Sequence, residues 1–171
     1  MKKVLLVVIT ILSVQSIFAQ TEISREAGGT KIIKGFILKK ELVADTAFSW
    51  YAQNAKGYTP AADAVQQYTT NKDSINLIIF AGTWCGDTKN LLPKFFATTD
   101  AAGFPDSRIT LIGVDRSKKT LYNLTEAFSV TNVPTFIVMK NGKEIGRVVE
   151  YGKIGAPDKE VAQIIASAAK K

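Results

Sequence analysis

The only cysteine of this 171-residue chain, Cys85, stands inside FAGTWCGDTKNLLPKFF, residues 80 to 96. A thiol does chemistry as its thiolate, so its neighbours matter more than its presence. Cys85 falls between an apolar run, INLIIF, and a helix-like stripe of Leu91, Leu92, Phe95 and Phe96. A strand-to-helix junction of that kind puts a residue at the carboxyl edge of a sheet, where open α/β sheets keep their sites. It also offers the unpaired N–H groups of a first helical turn, which favour an anion. Trp84 would wall one side of the sulfur, and Gly86 would let another backbone approach. Asp87 opposes a second negative charge, so only modest activation is expected. Thr88, one helical turn on, can donate a hydrogen bond to a thiolate but cannot attack a disulfide. Bonding the backbone of the first turn is an equal alternative for it.

FAGTWCGDTKNLLPKF resembles the active-site segment of the thioredoxin superfamily, in which a Trp-Cys-Gly-x-Cys motif opens a helix. Pro93 matches a helix proline of that family. SVTNVPTFIVMKNGKEIGRVV, residues 129 to 149, resembles its second half. There the resemblance implies a cis Val133–Pro134 bond facing Cys85, with Trp84, Gly86, Asp87, Thr88, Val133 and Pro134 forming the substrate-binding edge. The likeness covers roughly residues 74 to 170. It implies a thioredoxin-like α/β fold, a central mixed sheet flanked by helices, here with an N-terminal helical extension. Two departures bear on chemistry: Thr88 stands where the family keeps its resolving cysteine, and Ile79 where many members keep a buried aspartate. A lone thiolate can still form a mixed disulfide, but release then needs another thiol. The motif resembles the monothiol branch, with glutathione or another external thiol as reductant and no bound cofactor.

Composition narrows the choice further. Histidine is absent, which removes Cys–His and Ser–His catalysis and most zinc chemistry, and no metal site is expected. Lys2 and Lys3, an apolar run from Val4 to Phe18 and a small Ala19 form the layout of a secretory signal peptide, residues 1–19. The run is shorter than the roughly 20 residues that span a bilayer. An exported chain, periplasmic or extracellular and without a membrane anchor, is therefore expected. Removal of Lys2 and Lys3 takes the formal charge from +7 to about +5. The Lys and Arg are scattered without interleaved aromatics, so nucleic-acid binding is not expected. Arg116, Lys118 and Lys119 follow Asp115 and either raise the potential near the thiol or line a solvated loop, the commoner case.

The elements that must position Cys85 follow from pattern. Residues 20–31 are polar and Gly-containing, a flexible leader; 32–73 form an N-terminal extension; 74–171 form the main domain. The extension opens with a strand from Lys31 to Leu38. Val43, Ala47, Trp50 and Tyr51 then predict a helix over 41–53, and Thr59 with Pro60 starts another. From Ser74 the order is strand, helix, strand, helix, strand, strand, helix, an α/β layering with helices on both sheet faces. Leu121, Leu124 and Phe128 mark the second of those helices, and Asn123 begins an Asn-Leu-Thr pattern inside it. Asn141-Gly142 predicts a tight hairpin.

Three functions compete. One is a monomeric, exported thiol–disulfide oxidoreductase or isomerase with Cys85 as nucleophile, acting on disulfide- or thiol-containing proteins. Another is a binding module whose groove around Trp84 and Pro134 holds extended peptides without turnover. A thiol peroxidase is disfavoured, because Gly82 stands where its threonine belongs. The reading favours an enzyme.

Overall fold

The protein is described by a computed structural model over residues 21–169. Residues 1–19, expected to form a signal peptide, lie outside that range. A six-stranded mixed sheet runs through the described residues in the order β1-β2-β4-β3-β5-β6. Its strands are β1 (Thr21–Arg25), β2 (Lys31–Ile37), β3 (Ile75–Ala81), β4 (Ile109–Gly113), β5 (Thr135–Lys140) and β6 (Lys143–Val149). The helices are α1 (Lys39–Ala44), α2 (Trp50–Ala55), α3 (Ala62–Asn71), α4 (Gly86–Ala101), α5 (Leu124–Ala127) and α6 (Pro157–Ala169).

β3 is central because nearly every side chain on it is apolar, so it tolerates burial on both faces. It pairs parallel with β4 and antiparallel with β5. Its side chains alternate as a pleat requires. Ile75, Leu77, Ile79 and Ala81 join one core with Leu91, Leu92, Phe95 and Phe96 of α4, while Phe80 joins a smaller core with Ile112, Val133 and Ile137. The larger face is covered by α2, α3, α4 and α6; the smaller carries only short α5 and its flanking loops. The Asn141-Gly142 turn has φ of 51° and 73° at its two positions, the left-handed pair that a two-residue hairpin between β5 and β6 demands.

Four expectations need correction. The leader is ordered from Thr21: β1 pairs antiparallel with β2, Ile23 opposite Ile33, although all five of its residues are exposed. Backbone hydrogen bonds, not burial, make this strand. The helix expected over 41–53 is interrupted at Asp45, whose backbone is extended and whose carboxylate accepts from the Ala47 N–H at 2.9 Å. Helix α3 begins at Ala62, after Ala61 in an extended conformation, not at Pro60. Around Leu121 to Phe128, positive φ at Tyr122 and Asn123 leaves a 3-10 turn and the four-residue α5. Leu124 and Phe128 still pack on the smaller core.

The extension is tied to the domain through buried polar groups. The Asp158 side chain, 2 % exposed, accepts from the hydroxyls of Tyr58 and Thr98, both at 2.7 Å. Tyr68, fully buried, donates to the Asp158 carbonyl at 3.0 Å. A buried carboxylate needs such donors to offset lost hydration.

Candidate active site

The loop before α4 is pinned by β2. The Thr83 hydroxyl donates to the Lys31 carbonyl at 2.9 Å and accepts from the Ile33 N–H at 3.2 Å, so β2 holds the loop from the side. Gly82 lies directly under the Trp84 ring. A Cβ there would sit 2.8 Å from the indole, closer than real contacts allow. Trp84 donates from Nε1 to the Val114 carbonyl at 3.0 Å, at the end of β4. The Arg116 guanidinium lies 5.1 Å from the centre of the same ring, within cation–π range.

Cys85 occupies the N-cap of α4 and is half-buried. Its sulfur makes no cap bond to the first turn. Instead the thiol donates across the cleft to the Val133 carbonyl at 3.3 Å. Cys85 thus stands at the expected helix start, and its sulfur faces the Val133–Pro134 segment rather than the N–H groups of the first turn. The Val133–Pro134 bond is cis, and Pro134 offers its own carbonyl to the Glu150 N–H at 2.7 Å. Val133 and Pro134 are buried, and both of their carbonyls are engaged within the chain.

Thr88 takes the backbone-bonding alternative and is not part of the expected substrate-binding edge. It is fully buried, and its hydroxyl oxygen accepts from the Gly82 N–H at 3.2 Å. It offers no surface to a partner and braces the loop instead. Gly86 is exposed, and a Cβ there would meet nothing within 4 Å. Asp87 is partly exposed in the first turn of α4. Ile79 is wholly buried in the larger core.

The basic run after Asp115 is engaged throughout. Arg116 forms a two-pronged pair with Glu26, whose second contact is 2.7 Å. Lys118 donates to the Asn132 side chain at 3.0 Å, and Lys119 pairs with Glu126. The Lys119 ammonium holds the Glu126 carboxyl down to about 2. Sequence reasoning flagged Arg116 but not Glu26, which lies 90 residues away. It also missed the end of β6 and the loop after it, where Val149, Tyr151 and Ile154 are exposed and Tyr151 meets Asn90 at 3.3 Å. Their apolar character was the available signal. Among the described residues no helix is long and apolar enough to cross a membrane.

The thioredoxin family model matches residues 59–166, most of the chain and all of this site. The chain belongs to the thioredoxin family. Thioredoxin of Echinococcus granulosus is 35 % identical over 83 residues, 48 % of this chain and 72 % of that protein. Thioredoxin of Chlamydia trachomatis serovar D is 36 % identical over 84 residues, 49 % of this chain and 72 % of the other. A crystal structure of a Pseudomonas aeruginosa protein of unknown function shares the fold at a TM-score of 0.55 and 14 % identity. The match covers 75 % of this chain and 90 % of that one. This thioredoxin-family chain thus carries the family's mixed sheet and helices, with β1, β2, α1 and α2 lying before the matched segment.

Proposed function

We propose that this chain is an exported monothiol protein of thiol–disulfide exchange, with Cys85 as its nucleophile. The observation that carries the reading is the half-buried Cys85 thiol, 3.3 Å from the Val133 carbonyl, with Thr88 in the position of a resolving cysteine. In the first step Cys85 loses its proton to solvent and gives up its bond to Val133. The thiolate attacks one sulfur of a partner disulfide; a new S–S bond forms, and the partner's other sulfur leaves as a thiolate and is protonated. In the second step an external thiolate, glutathione or another small thiol, attacks the partner sulfur of the mixed disulfide and expels Cys85. Trp84 supplies an apolar wall, Gly86 leaves room for the partner backbone, and the Val133 carbonyl faces the sulfur.

Lys2, Lys3, the apolar run to Phe18 and Ala19 support export to the periplasm or beyond. Disulfide- or thiol-containing proteins are the substrate class, met by a chain acting as a monomer. A binding module without turnover is the second reading. It is favoured by the exposed Val149, paired with Thr135 next to Pro134, and the exposed Tyr151, which meets Asn90 of α4, and by Ile79, which offers no buried proton acceptor.

Incubation with oxidised glutathione tests the nucleophile. Intact-mass analysis should show one glutathionyl group added, lost on treatment with a reduced thiol and absent in Cys85→Ser. A wild-type chain that stays unmodified under conditions where a free thiol reacts would leave only the binding module.

A further inference from the structure

The N-terminal hairpin reaches the site through a chain of three side chains. Glu26, in the turn between β1 and β2, holds Arg116 by two hydrogen bonds. Arg116 in turn lies over the Trp84 ring, and Trp84 directly precedes Cys85. The Arg116 hydrogen bond keeps the Glu26 carboxyl below its usual range, and Lys89 of α4 adds a weaker pull on the same carboxylate. The turn therefore reaches the Trp84 wall through Arg116. The hairpin turn lies outside the segment matched by the family model.

We infer that Glu26 is a positioning residue for this site: by fixing Arg116 against the indole, it holds Trp84 in the orientation that a partner polypeptide packs on. The inference rests on Cys85 being the nucleophile and adds what controls access to it. An exposed Arg without a partner samples many rotamers, whereas a forked pair with a carboxylate orients the guanidinium plane. Trp84 is held at one edge by its bond to Val114 and packs over Gly82, and the Arg116 guanidinium, 5.1 Å from the ring centre, limits its remaining movement. Small disulfides need only the sulfur. A polypeptide disulfide must also pack on the wall, so loss of Glu26 should separate the two.

Two readouts on the full chain test this, with Trp50→Phe as background so that Trp84 is the fluorophore. Glu26→Gln should raise acrylamide quenching of Trp84 about twofold, and added salt should raise quenching in the parent but not in the variant, since exposed pairs are screened. Glu26→Gln should also slow mixed-disulfide formation with a polypeptide disulfide by about two- to fivefold, the scale of an exposed ion pair. The reaction with a small aryl disulfide should change by less than about 1.5-fold. Arg116→Gln should act alike, and the double variant should be no worse than either single one. Unchanged quenching, or equal slowing with both disulfides, would overturn the inference. A parent protein that reacts with neither disulfide would instead overturn Cys85 as nucleophile, while the quenching arm still decides whether Glu26 positions Trp84.

Discussion

The side-chain amide of Asn54 donates to the backbone carbonyl of Lys89 at 2.9 Å. Lys89 stands four residues before Pro93, inside α4. Proline has no N–H, so the Lys89 carbonyl lacks the helical donor every neighbouring carbonyl has. The extension supplies the replacement from α2. A turn of α4 that leaves one carbonyl without its helical donor is thereby joined to a segment that precedes the main domain.

Asn54→Ala should therefore lower stability by about 1 kcal/mol, the scale of one partly buried hydrogen bond. A urea titration should show a lower midpoint with an unchanged slope. An unchanged midpoint would mean that water serves the Lys89 carbonyl equally well.

The tyrosines that anchor the extension give it a pH limit. Burial raises Tyr51, Tyr58 and Tyr68 above the usual phenol range, and the Asp158 carboxyl adds to this for Tyr58 and Tyr68. In the unfolded chain these phenols lose protons near about pH 10. Above that pH the unfolded state binds fewer protons than the folded one, so stability falls as pH rises. Stability should be level with respect to these groups below about pH 10 and decline above it. Tyr58→Phe should make the alkaline decline shallower while costing about 1 kcal/mol at neutral pH through the lost bond to Asp158. Denaturant midpoints from pH 7 to 11 would read both effects.

Gly86 separates folding from encounter. A methyl group there meets nothing in the free protein, and alanine suits a helix better than glycine. Gly86→Ala should leave the thermal midpoint equal or slightly higher, yet slow mixed-disulfide formation with a polypeptide several-fold. Equal rates would show that partner backbones do not pass over this position.

The domain from Ser74 onward was largely legible because its signals are local. INLIIF is apolar enough to demand burial on both faces, Leu91 to Phe96 keep helical spacing, and Asn141-Gly142 specifies its own turn. What stayed hidden depends on distance or on backbone alone. TEISR has no apolar pattern, since β1 is a fully exposed edge strand. The break at Asp45 comes from one carboxylate bonding one N–H, which helical periodicity from Val43 to Tyr51 does not register. Thr88 was read as an equal choice between sulfur and backbone; the bond to Gly82 and complete burial decide for the backbone. The Glu26–Arg116 pair joins residues far apart in the chain, and nothing near either one announces the other.

The central claim is that Cys85 captures a partner and cannot release it alone. The most direct measurement is turnover of a polypeptide disulfide by wild type and by Thr88→Cys, each with and without added glutathione. Cysteine three residues on, across one helical turn, lies within reach of a disulfide bridge. Wild type should form a mixed disulfide that persists until glutathione is added and should turn over only in its presence. Thr88→Cys should release its partner without glutathione and accumulate an internal disulfide. Wild-type turnover equal to that of Thr88→Cys in the absence of any added thiol would contradict the monothiol account.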